Sequence, residues 1–347
     1  MRNYFHLSLL LCAPLLVTGC GDINDPVIVS PVITTTAITP VSVTLSWVKA
    51  TDSGTSASAL VYKVYMSGTN PAYQSFDTLG EVEAGTLAQT LTDASSATIS
   101  GISAGAHYIN IVVEDEDGNK ALYEPLGEYF HANQISYYPF NGNTNDVELT
   151  APNNLALAVD TTLPGLALPV VTSDRFSHAG SAYNFNPAIP QCLQSTADVG
   201  ITGNVDRSVS FWVQSSNTPT GTRRAAFAWG DGANGSNFGA TENGVGNVWT
   251  VWLGGAADVP TTTTVTSNWE HWVIGYTATT VYAYRNNVPF SNGTAAINTA
   301  ISKLYVGCGM LAGVLSYPYQ GNIDDVRIFS SLLNGTDVTN LYAATRP

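Results

Sequence analysis

Short runs in which apolar and polar residues alternate set the character of this chain. Val43, Leu45 and Trp47 alternate with Ser42, Thr44 and Ser46. Leu60, Tyr62 and Val64 repeat the pattern, as do Ile109, Ile111 and Val113. A period of two puts one set of side chains on a buried face, which is the signature of a half-buried strand. About seven such runs between residues 31 and 132 predict a β-sandwich. Asp117-Gly118 marks a tight turn at the end of one run. Long helical periodicities are missing, with one short exception from Asn334 to Ala344. There Asn334 or Thr336 can cap a helix that buries Val338, Leu341 and Tyr342. The predicted fold class is all-β.

Composition narrows the setting. The chain has 347 residues, enough for two domains. Its net charge is −14, charged residues are only 11%, and basic residues form no run. That balance excludes nucleic acid and anionic lipid surfaces as partners. Beyond the first 20 residues no stretch is long and apolar enough for a membrane-spanning helix. At the N-terminus, Arg2 precedes the apolar run Leu7 to Val17, the length of a signal segment. It ends in Leu16-Val17-Thr18-Gly19-Cys20, which resembles the lipobox of bacterial lipoproteins. The resemblance implies cleavage after Gly19, lipid on the Cys20 thiol, and attachment to the cell envelope through that lipid. Gly21, where an aspartate would favour the inner membrane, leans the expectation to the outer membrane. Removing residues 1–19 leaves 11 basic and 26 acidic residues, a mature charge of −15.

The domain organisation follows. Residues 1–19 read as the leader, 20–30 as a lipidated tether, 31–132 as the first sandwich and 135–347 as a second β unit. In the first, Val43-Thr-Leu-Ser-Trp47, Tyr62-Lys-Val-Tyr65, Ile99-Ser-Gly-Ile-Ser-Ala-Gly105 and Val112-Val-Glu-Asp-Glu-Asp-Gly-Asn119 together resemble a fibronectin type III domain. Trp47 would be its buried tryptophan, and the tyrosine of its sixth strand falls to His107 or Tyr108. The resemblance implies a spacer or interaction module. The second unit opens with Tyr137-Tyr-Pro-Phe-Asn-Gly-Asn-Thr-Asn-Asp146 and closes with Gly321-Asn-Ile-Asp-Asp-Val-Arg-Ile-Phe329. Between them lie Ser208-Val-Ser-Phe-Trp-Val213, Asn268-Trp-Glu-His-Trp-Val273 and Leu304-Tyr-Val-Gly307. In that order these segments resemble a laminin-G-like, concanavalin-type jelly roll.

Several residues could carry chemistry. The jelly-roll resemblance implies a structural calcium, with Asn141, Asn143, Asp146 and Asp324 as the oxygen ligands such an ion wants. The competing expectation is a hydrogen-bonded turn in which an aspartate caps backbone amides. Asp324 and Asp325 are adjacent on a strand and should face opposite ways, so only one of them can serve. For sugar, the polar loop Trp229-Gly-Asp-Gly-Ala-Asn-Gly-Ser-Asn237 offers Asp231 and Asn234. Trp249 and Trp252 lie on opposite faces of one strand. Trp249 is taken as the aromatic plate, against the alternative that it packs in the core. With Cys12 in the leader and Cys20 lipidated, Cys192 and Cys308 remain, either bridged or as two buried thiols.

Catalytic patterns are weak. Histidines are scattered singly, and no Gly-x-Ser-x-Gly turn or phosphate loop occurs. Glu114-Asp-Glu-Asp117 spaces its acids as a glycosidase would, but it runs into the Asp117-Gly118 turn and reads as a solvated hairpin tip. The expectation is a non-catalytic binding or adhesion lipoprotein whose partner is a glycan or a surface protein. A structural envelope role without sugar binding is the alternative, and a concanavalin-type glycoside hydrolase the distant one.

Overall fold

The computed structural model describes residues 25–68, 75–160, 165–188, 191–216 and 221–347. Cys20, the leader and the start of the tether lie outside the described residues. No helix among the described residues is long and apolar enough to cross a membrane.

The fold is all-β and divides at residues 131–133 into two packed β units. In the first, a three-stranded sheet (Ile33–Thr39, Ser42–Trp47, Ser96–Ser100) faces a sheet ordered Thr86–Thr92, Val61–Met66, Gly105–Glu114, Lys120–Leu122. Leu126–Phe130 pairs with the first half of Gly105–Glu114. The alternation predicted for Ser42–Trp47 is realised residue by residue, with Val43, Leu45 and Trp47 inward. The Trp47 and Tyr62 rings meet at 5.9 Å in this core. Gly105–Glu114 departs from the half-buried expectation, because Tyr108 and Val112 are buried as well. Its second face is covered by Phe76 and the short helix Leu79–Glu83. The acid run ends as a solvated turn: Glu114 pairs with Lys63 at 2.7 Å, and the Asp115 carboxylate accepts the amides of Asp117 and Asn119.

In the second unit a seven-stranded sheet packs on an eight-stranded one. Between them lies an aromatic-rich core that includes Phe211, Phe227, Trp229, Phe238, Trp249 and Trp272. Cys192 and Cys308 form a disulfide, their Cα atoms 5.4 Å apart. It ties the strand Leu193–Asp198 to the root of a small hairpin, Gly309–Leu311 with Val314–Ser316.

The C-terminal helix Gly335–Thr345 is capped by Asn334, whose side chain accepts the amides of Thr336 and Asp337. It buries Val338 and Leu341 as predicted, together with Ala343 and Ala344. Tyr342 is partly exposed and stacks on Trp212. The helix fills the space between the outer face of the eight-stranded sheet and the first unit. Val273, Phe329 and Leu333 meet it from one side, Ala106 and Tyr129 from the other. The fit is close: a Cβ on Gly127 would lie 1.8 Å from the Ala344 carbonyl oxygen. The Tyr108 hydroxyl donates to the Ala343 carbonyl at 2.5 Å. The Ile38 amide donates to Val147 O at 2.7 Å, and Leu149 N donates back to Ile38 O. Tyr137 and Val147 of the second unit belong to the first unit's core. The two units therefore share buried apolar surface and backbone hydrogen bonds.

Candidate functional site

The two outer faces of the jelly roll are built differently. On the seven-stranded sheet, Asn237–Asn243 and Val248–Trp252 pair so that Gly239 faces Trp252 and Glu242 faces Trp249. Trp249 and Val251 point into the core and Trp252 points out. The expectation for Trp249 is corrected accordingly. It is 2% exposed and packed in the core between Phe211 (6.1 Å) and Trp272 (5.1 Å). The outward tryptophan is Trp252, over a floor of Ala225 and Ala228. It too is buried, because the hairpin crosses it and Tyr317 meets its ring edge-on at 5.3 Å.

Tyr317 is the aromatic left partly open on this face. It follows the hairpin with φ at 57°, a left-handed conformation unusual for a large side chain. Its backbone is held there because the Ala225 amide donates to Tyr317 O at 2.8 Å. The Arg223 guanidinium lies 5.7 Å over its ring and pairs with Asp258 at 2.7 Å. The other Asp258 oxygen accepts the amides of Leu253 and Gly254. Thr250, which shares the Trp252 face, is buried with a hydroxyl that meets no protein partner.

Asp231 and Asn234 shape the rim of this face. Asp231 accepts the Ala233 amide at 2.9 Å and the Ser236 hydroxyl, and Asn234 Oδ1 accepts the Ala257 amide at 3.0 Å. Hydrogen bonds from Ser236 pull the Asp231 carboxyl below its ordinary range. The crest interlocks with the next loop at Gly254, whose φ of 93° and approach to Ala233 O exclude a side chain. Asp231 and Asn234 are both exposed.

The residues predicted for calcium are placed apart. Asp146 caps a turn: its carboxylate accepts the amides of Tyr137, Glu148 and Asn153. Asn143 is exposed and folded into the same turn, where its Oδ1 accepts the Asn145 amide. Asp324 is committed to a cation already present, since Arg175 Nη1 donates to it at 2.5 Å. Asn141 and Asp324 do share one cavity, but a guanidinium occupies it beside them. This donor set does not fit calcium. Among the described residues no group of three or more His, Cys, Asp or Glu side chains has metal-binding geometry.

Strand alternation also fails at Asp324-Asp325. Ser210 pairs with Arg327 and Trp212 with Asp324, so Asp325 and Val326 together oppose Phe211. This β-bulge, with Asp325 at φ 51°, turns both carboxylates to the outer face. Arg175 bridges them, at 2.5 and 2.9 Å. A chain of buried charge results. In the first unit the Thr35 hydroxyl donates to Glu128, and Glu128 meets Arg327, which lies 3.0 Å from Glu128, 2.8 Å from Asp325 and 3.7 Å over the Tyr137 ring. Burial pushes the Glu128 carboxyl up, and pushes Asp324 well up despite Arg175. Burial also raises Asp325, but Arg327 and Arg175 outweigh it and hold that carboxyl low. His271, beside this chain and under Trp212, is driven down to about 3 by burial and is neutral.

Against known proteins, a family model described as the Concanavalin A-like lectin/glucanases superfamily matches residues 193–339. A comparison with curated proteins finds no match. Among solved structures, the chain is similar to domain 4 of an extracellular arabinanase from Geobacillus stearothermophilus, solved with arabinotriose. That match has 18% identity and a TM-score of 0.43, over 60% of this chain and 98% of that one. It is also similar to a botulinum neurotoxin binding domain solved with rat synaptotagmin II (12% identity, TM-score 0.44, 60% of this chain and 51% of that one). A Trypanosoma rangeli sialidase matches at 13% identity and TM-score 0.40, over 69% and 42%. This chain spans about half the length of the toxin domain and less of the sialidase.

Proposed function

We propose that this chain is a non-catalytic, lipid-anchored envelope protein whose jelly roll binds carbohydrate on the outer face of its seven-stranded sheet. The observation that carries the reading is Tyr317. An aromatic ring is held partly open, in a left-handed backbone conformation, beside an arginine–aspartate pair. Non-glycine residues in such conformations cluster where a fold positions a group for function. A sugar ring presents an apolar face and a rim of hydroxyls, which suits an aromatic plate flanked by fixed polar groups. The concanavalin-like match supports the same direction, although fold alone does not dictate function. The rim residues Asp231 and Asn234 act by shaping the loops around this face.

The two-sheet sandwich of the first unit, three strands against five, supports the fibronectin type III reading, and with it a spacer between Cys20 and the jelly roll. Palmitate labelling that Cys20→Ser abolishes tests the anchor, and a mutant that still labels sinks it. A glycan array probed with the full chain tests recognition. Binding lost in Tyr317→Ala supports it, and an array without any signal refutes it. A second reading, protein contact, rests on the sheet edge Val170–Thr172, where Leu168, Val170 and Val171 are exposed. It becomes the better one if the array is silent.

A further inference from the structure

Where the two units meet, a cavity of about 90 Å³ lies between Val32 and Glu124–Gly127 of the first unit and the loop Asp174–His178 of the second. Asp324 and Asp325 form part of its wall. The charges around it do not balance. Glu124, Glu128, Asp174, Asp324 and Asp325 supply five carboxyls, and Arg175, Arg327 and His178 supply three cationic groups. His178 is engaged on both nitrogens, 2.7 Å from Glu124 and 3.2 Å from Asp174, so it spans the units as an imidazolium. Even with it charged, carboxyls outnumber cationic groups by five to three. The surplus has an address. The Asp324 side chain is 3% exposed, and its Oδ1 meets no hydrogen-bond partner. A buried carboxyl oxygen without a donor is costly, and either a proton or a bound cation relieves it. At the cavity's mouth Phe176, 41% exposed, stacks on His178 at 5.7 Å.

We propose that this cavity binds a small primary ammonium group, of the kind carried by an amino sugar, with Asp324 Oδ1 as its acceptor. An ammonium is compact and brings up to three donors, where the Arg175 guanidinium has already taken the planar bidentate position. The volume is below the roughly 150 Å³ of a cavity that holds benzene. The charged group therefore enters, and a sugar ring attached to it stays at the mouth against Phe176. This site is separate from the Tyr317 face and stands without it.

The test is thermal melting of the full chain with glucosamine, methylammonium, glucose and N-acetylglucosamine, each against matched sodium chloride. Glucosamine and methylammonium are expected to raise Tm by about 2–4 °C near saturation, and the neutral sugars to leave it unchanged. A larger shift with glucosamine assigns the natural ligand to amino sugars, and an equal shift assigns it to free amines. Asp324→Asn, which keeps shape and removes charge, abolishes the shift. Should that variant fail to fold, Glu124→Gln at the exposed mouth must weaken the response at least severalfold. No shift with either amine, an equal shift with glucose, or a response that both variants retain overturns the proposal.

Discussion

The two outer faces of the jelly roll are both largely buried, yet they are covered in different ways. The eight-stranded sheet is covered by a helix and a second folded unit, and the seam holds Glu128, Arg327, Asp325, Arg175 and Asp324. The seven-stranded sheet is covered by one small hairpin over alanines and a tryptophan, and the covering ends in a partly open tyrosine. Charge is deep on the joined face and shallow on the other, where the Arg223–Asp258 pair still reaches solvent. One face spends its polar groups on holding units together, and the other leaves a few within reach of solvent.

The largest expected effect comes from breaking the joined face. Arg327→Met leaves Glu128 buried without its cation and Asp325 with Arg175 alone, and should cost about 3–5 kcal/mol in urea unfolding. Adding Glu128→Gln should restore part of that loss, since the two residues act through one contact. Additive losses would mean that the pair does not join the units. Next is the pin of the other face: Cys192→Ser with Cys308→Ser should cost about 2–4 kcal/mol. Because the disulfide roots the hairpin that leads to Tyr317, glycan binding should weaken as well; full binding would show that the hairpin is positioned without it.

Glu242, between the sheets, sharpens the contrast through pH. Burial raises its carboxyl to about 7 from an ordinary 4.5, although Ser215 donates to it and Arg224 stands 3.6 Å away. A raised folded pKa means that its contribution is fully present below about pH 4.5 and is lost as pH rises towards 7. Glu242→Gln should therefore be more stable than the parent at pH 8, by roughly 1–3 kcal/mol, and equal to it near pH 4. A variant that is less stable at pH 8 contradicts this. Smallest in stability is Tyr317→Ala. It should move Tm little and weaken glycan binding about tenfold, near 1.4 kcal/mol. A shift of many degrees would make Tyr317 a packing residue.

The all-β class, the faces of Ser42–Trp47 and the capped C-terminal helix were legible because each rests on local periodicity or a local cap. Elimination left Cys192 and Cys308 as the two remaining cysteines, and the fold decided between a bridge and two buried thiols. What failed was non-local. Alternation separates Trp249 from Trp252 but does not say which is inside; the register that sets Gly239 against Trp252 decides it. The bulge at Asp325 overturned the opposed-faces argument for two aspartates, and nothing in their neighbours announces a positive φ. Tyr317 lies in no periodic run, and Arg175 and His178 sit in a loop with no pattern. Glu128 and Arg327 are 199 residues apart, and only the folded seam pairs them.

The contact of Gly127 with Ala344 has a consequence for descent. Modules of this kind are usually exchanged singly between genes, because their borders carry few contacts. Here any larger residue at 127 collides with the last turn of the C-terminal helix, which also lies against the other unit. Recombination that replaced either unit alone would lose that match. The pair should therefore act as one block, and homologues that conserve this contact are expected to carry both halves.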